Sequence, residues 1–187
     1  KPQLSENIGA CARGMKNFNF QKLSIIDPKP IFPNDKILAT SVGAKNIINK
    51  SKVFDHLEPA LKNIDYVYIS HLHTDHCLDY ARLVHSRWDQ GAGKIPDLKV
   101  YAPAYMQRMT DLLFSENGVF QPDLDGRINS PGSQRVYLNR GGVLPRSRPA
   151  PNITALYDTM EIENSNWKIT VREVMHQPGY IEPYAFR

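Results

Sequence analysis

Short segments in which apolar and polar residues alternate recur along the chain, and they are rich in β-branched and aromatic side chains. Both features predict β-strands, because successive side chains of a strand point to opposite faces of a sheet. These segments are residues 36–42, 65–70 and 98–101, and a second series follows at 153–156, 159–162 and, most clearly, 167–175. We expect the first three strands to lie in one mixed sheet.

A helical period replaces this alternation after the second strand. Cys77, Ala81, Val84 and Trp88 follow one another at intervals of four, three and four residues, and they therefore share one face of a helix predicted over residues 75–90. We expect Val84 and Trp88 to be buried. The same face makes Cys77 an apolar core residue rather than a metal ligand.

The remaining segments show weaker patterns. They are a helix between Gly43 and Pro59, a helix over 104–114, extended chain and loop over 1–34 with one short strand at 23–26, and a long irregular excursion over 115–151. The chain has no internal repeat and no linker that would divide it. Strand and helix alternate through much of its length, so we expect a single α/β domain over residues 1–187.

The composition is that of an ordinary globular domain, with 187 residues of which 41% are hydrophobic and 22% charged. No apolar run approaches the ~20 residues that cross a bilayer, so we expect a soluble protein, cytoplasmic, periplasmic or secreted, without a membrane partner. Two cysteines are too few for a disulfide framework and lack the C-x-x-C spacing of a zinc site.

The formal net charge of +4 is scattered along the chain and does not by itself indicate nucleic acid. One local group stands out, formed by Arg135, Arg140, Arg146 and Arg148. A solvated basic loop and a contact with an anionic or phosphate-bearing substrate both explain this group.

The candidate chemistry lies in the sequence SHLHTDHCLDY, which directly follows the predicted strand at 65–70. Side chains two residues apart on an extended backbone point to the same side, so His71 and His73 can converge on one ion. Asp75 and His76, at the start of the following helix, are turned differently and can face a second ion. Imidazole and carboxylate ligands together suit Zn²⁺, and Mn²⁺ or Fe²⁺ are alternatives because they bind the same types of ligand.

The H-x-H-x-D-H motif between a strand and a helix resembles the signature of the metallo-β-lactamase superfamily. Within it the chain is most similar to the ribonuclease Z-like branch, through HLHTDHCLDYARLVHSRWDQG with LKVYAP and through VREVMHQPGYIEPYAFR. The resemblance implies an α/β protein with the αβ/βα four-layer sandwich of the metallo-β-lactamase fold. This chain would hold the first half of that fold and the start of the second.

By the same resemblance, His71, His73 and His176 would hold one metal, and Asp75 and His76 would contribute to the second. The family pattern also requires a bridging Asp and a final His, which would follow the last residue of the chain. We therefore expect a domain that is incomplete at its C-terminus. A second chain or a second copy in a homo-oligomer would then complete the metal site.

The resemblance implies a metal-dependent hydrolase that binds two zinc ions and uses a metal-bound hydroxide as its nucleophile. Asp75 would be the catalytic residue that positions this hydroxide. A ribonuclease Z-like relative favours a phosphodiester substrate, either a small molecule or RNA. Lactone or β-lactam hydrolysis is the alternative within the enzyme class, and a non-catalytic metal-binding scaffold is the alternative outside it.

Overall fold

The computed structural model describes residues 1–61 and 64–187 of the chain. They form two compact units, unit 1 (Lys1–Asn63) and unit 2 (Ile64–Arg187), each with a hydrophobic core of its own. A single domain over the whole chain stays a prediction. In the described ranges, no helix combines the length and the apolar character needed to cross a lipid bilayer.

Unit 1 consists of short helices and one pair of strands. Its elements are α1 (Ser5–Asn17), β1 (Ser24–Ile26), α2 (Asp35–Thr40), α3 (Lys45–Asn49), β2 (Lys52–Phe54) and α4 (Leu57–Leu61). The two strands are parallel, with Ile25 opposite Val53. The core of unit 1 gathers apolar residues from α1, β1, α2 and α3.

Helix α1 packs on α2 through a glycine. The buried face of α1 includes Ile8, Gly9 and Ala12, and a Cβ on Gly9 would come within 2.5 Å of the carbonyl oxygen of Ile37 in α2. Helix α2 begins after Asn34, whose side chain accepts a hydrogen bond of 3.0 Å from the backbone N–H of Ile37. The absence of a side chain at Gly9 therefore lets the two helices approach to backbone contact.

Unit 2 contains the remaining elements. They are β3 (Tyr66–Tyr68), α5 (Thr74–Cys77), α6 (Tyr80–Gly91), β4 (Lys99–Ala102), α7 (Tyr105–Phe114), α8 (Gln121–Asn129), α9 (Pro131–Asn139), β5 (Asn152–Ala155), β6 (Glu161–Glu163), β7 (Lys168–Glu173) and β8 (Tyr184–Phe186). Strands β3, β4 and β5 form a parallel sheet with β4 in the centre, and β6, β7 and β8 form an antiparallel sheet with β7 in the centre.

The main core of unit 2 joins the parallel sheet to helices α6 and α7. Val84 of α6 is 4% exposed, and Val100 of β4 and Met106 of α7 are fully buried in the same cluster. A second cluster between the two sheets includes Leu156 and Val171. These cores hold the ends of β3, β7 and β8 in place, where the candidate site lies.

The expected αβ/βα four-layer sandwich is wrong. Among the described residues the strands form three small sheets of two, three and three strands rather than two large ones. The expected mixed sheet is wrong as well, because residues 36–42 contribute helix α2, and β3 and β4 pair in parallel. The cap on Asn34 starts a helix there, and the buried side of α1 covers it, which outweighs the strand-like alternation.

Some of the other helices and strands predicted from the sequence are present in the structure, and others are not. The strands predicted at 65–70 and 98–101 are present as β3 and β4, and the helix at 104–114 is present as α7. The helix predicted over 75–90 is divided into α5 and α6, with Val84 buried and Trp88 half-buried. Helices α1, α8 and α9 lie in segments for which we predicted irregular chain. Helix α3, strand β2 and helix α4 replace the single helix between Gly43 and Pro59.

Candidate functional site

The backbone stays firmly held beyond the end of β3, up to the first histidine. The N–H of Ile69 donates to the carbonyl oxygen of Tyr101 at 2.9 Å, and the carbonyl oxygen of Ser70 accepts from the N–H of Tyr184 at 2.8 Å. Ile69 is 5% exposed in the main core of unit 2. The histidines that follow are therefore attached to a rigid strand end.

Three imidazoles lie together at this strand end. One ring nitrogen from each of His71, His73 and His176 can be offered to an ion, and these three atoms all lie within 4.8 Å of one another. Nε2 of His71 is 3.1 Å from Nδ1 of His73, and Nε2 of His176 is 3.4 Å from that same Nδ1. We call this group the histidine cluster.

Two polar neighbours orient the rings of the histidine cluster. Oγ of Ser70 lies 2.9 Å from Nδ1 of His71, and Oε1 of Gln177 lies 3.1 Å from Nε2 of His73. Contacts of this kind set the tautomer and the direction of an imidazole. Gln177 could not be predicted from the sequence, because its contact with His73 joins residues 104 positions apart.

The surroundings of His71 favour the neutral form of its ring. Burial is the main cause that lowers the pKa of His71, and the nearby rings of His76, His73 and His176 act in the same direction, against Asp75. A neutral imidazole is the form that donates a lone pair to a metal ion. His71 can therefore offer a ring nitrogen to a cation, and the geometry brings one ring nitrogen each of His73 and His176 close to it.

Asp75 and His76 are not part of this three-residue group in the described structure. The side chain of Asp75 is 78% exposed, and its carboxylate lies 3.5 Å from Nε2 of His76. The ring of His76 stands 4.1 Å from that of His71, measured between centroids. The roles expected for this pair, as ligands of a second ion and with Asp75 as a catalytic residue, stay predictions.

Cys77 is a buried core residue, as its place on the helix predicts. Its Sγ lies 3.8 Å from the carbonyl oxygen of Leu72, and burial raises the pKa of the thiol. The protonated, buried thiol contributes packing rather than a ligand.

A cluster of arginines around one carboxylate is a feature that the sequence analysis did not predict. The carboxylate of Asp89 lies 3.2 Å from Arg127, 3.2 Å from Arg140 and 2.9 Å from Arg146. The contact between Asp89 and Arg146 joins residues 57 positions apart, so no local spacing reveals it. The local group of arginines at 135–148 was the only signal in the sequence.

Charge is divided unevenly between the two units. Residues 1–63 carry ten Lys and Arg against five Asp and Glu, whereas residues 64–187 carry thirteen against fourteen. Arg13, Lys22, Lys45 and Lys50 are exposed in unit 1. The positive net charge of the chain thus belongs to unit 1, where it can attract a polyanion.

Residues 1–90, just under half of the chain, match the model of the SpoU rRNA Methylase family. The matched range contains all of unit 1 and the motif at 71–76, and it ends within α6. His176 and the arginine cluster beyond Asp89 lie outside it.

Similar proteins include two tRNA 2′-O-methyltransferases. The tRNA (cytidine-2′-O-)-methyltransferase TrmJ of Methanocaldococcus jannaschii is 33% identical over 66 residues, which are 35% of this chain and 28% of that protein. The tRNA (cytidine/uridine/adenosine-2′-O-)-methyltransferase TrmJ of Pseudomonas aeruginosa is 38% identical over 61 residues, which are 33% of this chain and 23% of that protein. The chain therefore spans about a quarter of the length of these curated relatives.

Among solved structures, the crystal structure of TrmJ from Z. mobilis ZM4 is similar over 36% of this chain and 30% of that chain. The two share 34% sequence identity over this part, with a TM-score of 0.35.

These comparisons contradict the family that the histidine motif indicated. Membership of the metallo-β-lactamase superfamily, in its ribonuclease Z-like branch, is wrong, because the family that matches is one of methylases. The expected metal-dependent hydrolase, with its phosphodiester, lactone or β-lactam substrates, is wrong because the matched relatives are methyltransferases. A motif of six residues constrains only the local backbone and its ligand atoms, whereas the match extends over residues 1–90.

The expected zinc cofactor, with manganese or iron as its alternatives, is wrong on the same ground. Methyltransferases of the SpoU and TrmJ kind use S-adenosylmethionine rather than zinc. The hydroxide-based mechanism expected from a pair of zinc ions therefore has no place in this protein.

Proposed function

We propose that this chain takes part in the 2′-O-methylation of tRNA, through unit 1. The observation that carries the proposal is the match of residues 1–90 to the SpoU rRNA Methylase family. The names of the relatives from M. jannaschii and P. aeruginosa support tRNA as the substrate and the ribose 2′-oxygen as the methylated atom.

The charge of unit 1 supports an RNA partner. Ten basic residues against five acidic ones provide the sequence-independent attraction to phosphates that dominates nucleic-acid affinity. Arg13, the only arginine among residues 1–63, is exposed on α1. A guanidinium in this position can contact a phosphate with two parallel hydrogen bonds.

S-adenosylmethionine supplies the methyl group in enzymes of this kind. The described residues of unit 1 do not fit a binding site for it. Each of their buried side-chain nitrogen and oxygen atoms already has a hydrogen-bond partner. Asp27, at the carboxyl end of β1, is paired with Lys1 at 2.5 Å. We therefore assign no step of methyl transfer to these residues, and we attribute to unit 1 the contact with RNA.

The test has two parts. Purified protein is incubated with tRNA and S-adenosylmethionine labelled in its methyl group, and the nucleosides of the digested tRNA are analysed for 2′-O-methylation. Label on a ribose 2′-oxygen supports the proposal, and label on a base contradicts it.

The second part measures tRNA binding at several salt concentrations. Arg13→Gln should weaken binding and reduce the slope of log affinity against log salt by about 1, because one phosphate contact is lost. Arg135→Gln is the matched control, since Arg135 is exposed on α9 and outside the matched residues. Equal binding by the two variants would contradict a role of unit 1 in RNA recognition.

We propose separately that the three imidazoles of the histidine cluster can bind a single Ni²⁺ ion, with no hydrolytic role. The observation that favours this is the approach of three imidazole nitrogens to within 4.8 Å of one another. Ni²⁺ serves as the probe because it prefers imidazole ligands. Calorimetric titration should give one ion per chain, and His71→Ala should abolish binding, whereas replacement of the exposed His56 by Ala should leave it unchanged. Unchanged binding by His71→Ala would contradict the site.

A further inference from the structure

Unit 2 contains a cavity of about 470 Å³ that neither proposal uses. The C-terminal part of α6, the loop that follows it and the segment 141–151 surround this cavity. Its volume lies within the range of small-molecule binding sites in proteins, which is roughly 300 to 1,000 Å³. We call it the arginine cavity because of the side chains that line it.

The lining of the arginine cavity is strongly basic. Arg87, Lys94, Arg146 and Arg148 are cationic, and Asp97 is the only acidic residue among the lining residues of the described structure. The side chains of Arg87 and Arg146 are each 4% exposed, and that of Arg148 is 22% exposed. Guanidinium groups withdrawn from water to this degree are costly unless they meet negative charge.

Aromatic rings hold Arg146 in a defined position. Its guanidinium lies 3.7 Å from the centroid of the Trp88 ring and 4.8 Å from that of Tyr137. The indole N–H of Trp88 donates to the carbonyl oxygen of Ser147 at 2.7 Å, which fixes the segment that carries both Arg146 and Arg148. The basic groups are therefore positioned before any ligand binds, which reduces the entropic cost of binding.

The ion pairs of Arg146 and Arg148 use only part of the hydrogen-bonding capacity of the two guanidinium groups. Arg146 donates to Asp89 at 2.9 Å, but Asp89 is shared with two further arginines. Arg148 is paired with Asp125 through one terminal nitrogen.

Two buried donors on the lining residues have no acceptor within the described structure. They are Nε of Arg146 and Nη1 of Arg148. An unsatisfied buried N–H of a charged group is unfavourable, which favours an anion beside the two guanidinium groups.

We propose that the arginine cavity binds a small phosphomonoester, with Arg146 and Arg148 contacting its phosphate. A dianionic phosphate matches an excess of positive charge in the lining better than a single carboxylate does. The volume leaves room for a group of about the size of a pentose beside the phosphate. This site lies beyond the residues matched to the methylase family apart from Val84, Arg87 and Trp88, and it does not depend on the proposed function.

Calorimetric titration of the purified protein with three probes tests the proposal. The probes are ribose 5-phosphate, inorganic phosphate and ribose. Ribose 5-phosphate should bind at least about tenfold more tightly than ribose, because ribose lacks the charge-assisted hydrogen bonds to the two guanidinium groups. Inorganic phosphate, which lacks the sugar, should also bind, and this binding would show that the phosphate group is what the cavity recognises. Equal affinity for ribose 5-phosphate and ribose, or no binding of either phosphate at millimolar concentration, would overturn the proposal.

Variants of the two arginines test whether ribose 5-phosphate binds in the arginine cavity. Arg146→Lys keeps the charge but removes the planar fork, and Arg148→Gln changes a partly exposed residue that unit 2 tolerates more easily. Each should weaken ribose 5-phosphate binding by about tenfold or more, whereas Arg135→Gln, on the exposed surface of α9, should not change it. Circular dichroism confirms folding of each variant. Wild-type affinity in a folded Arg148→Gln protein, or phosphate binding that single-stranded RNA displaces completely, would place recognition elsewhere and overturn the assignment.

Discussion

Nε2 of His176 lies 3.4 Å from Nδ1 of His73, although 103 residues separate them in the chain. His73 follows the rigid end of β3, whereas His176 lies in the connection between β7 and β8. This connection also carries Met175 and Tyr180, which are 92% and 89% exposed. A contact between the two histidines therefore attaches an exposed segment to the firmly held chain that follows β3.

The first prediction concerns the segment between β7 and β8. If the histidine cluster takes up a cation, Ni²⁺ should slow proteolytic cleavage between Met175 and Tyr180, because His176 becomes a ligand and restrains the backbone. Limited proteolysis with mass spectrometry of the fragments measures this. The His176→Ala variant should be cleaved at the same rate with and without Ni²⁺. Slower cleavage of this variant in the presence of Ni²⁺ would show that the ion binds elsewhere.

The second prediction concerns the contact of α1 with α2. Gly9→Ala should lower the free energy of unfolding by about 1 to 3 kcal/mol, because the new methyl group meets the backbone of α2. Urea denaturation measures the change. Gly14→Ala is the control on the same helix, where a Cβ has no neighbour within 4 Å, and it should stabilise the protein by roughly 0.5 to 1 kcal/mol. Equal effects at the two positions would contradict the close packing.

The third prediction concerns Asp89, the carboxylate at the centre of the arginine cluster. Burial acts to raise its pKa, but the hydrogen bonds from Arg146 and Arg140 and the charge of Arg127 outweigh it and lower the pKa. At neutral pH, Asp89→Asn should destabilise the protein by about 3 kcal/mol, because the buried guanidinium of Arg146 loses its counter-charge.

The effect of Asp89→Asn should depend on pH in one direction. A carboxyl group whose pKa is lowered by folding stabilises the protein above its unfolded pKa of about 3.9, and the contribution is lost as the pH falls through the folded value. The difference in the free energy of unfolding between the wild-type protein and Asp89→Asn should therefore become smaller below about pH 4. Urea unfolding across this range is the measurement, with the exposed Asp79→Asn as control. A difference that grows on acidification would contradict the assignment.

The fourth prediction concerns a buried hydroxyl in the core of unit 2. The hydroxyl oxygen of Tyr80 lies 2.9 Å from that of Thr110, which itself donates to the carbonyl oxygen of Met106 at 2.8 Å. Tyr80 is therefore the donor, and burial raises its pKa to about 12, so the O–H persists at ordinary pH. Tyr80→Phe should lower the free energy of unfolding by about 1 kcal/mol, as measured by thermal unfolding.

Tyr105→Phe provides the comparison for Tyr80→Phe, because Tyr105 is 56% exposed on α7 and its hydroxyl is free to contact water. This variant should be as stable as wild type within about 0.5 kcal/mol. A Tyr80→Phe protein as stable as the Tyr105→Phe protein would show that the buried hydroxyl pair contributes nothing to the core.

The family assignment shows the limits of a short motif. The residues at 71–76 carry ligands at the spacing of a dinuclear metal site, but only His71 and His73 join His176 in the described structure. The motif determines which side chains follow the strand, and it leaves open the rest of the fold and the reaction. The match to methylases rests on residues 1–90, and most of that range contains no part of the motif.

The sequence by itself determined the elements whose pattern is strong and local. Strands β3 and β4 and helix α7 follow from alternation and helical period, and the proximity of His71 to His73 follows from extended backbone. These features depend on residues that are neighbours in the chain, so local propensity and side-chain direction suffice to predict them.

The tertiary structure alone decided the contacts between distant residues. It placed Gln177 beside His73, surrounded Asp89 with three arginines, and made a helix of residues that alternate like a strand, because α1 covers α2 across Gly9. Each of these depends on burial against a partner far away in the sequence. Burial and long-range charge pairing can exceed the small free-energy differences of local propensity, and no pattern along the chain records them.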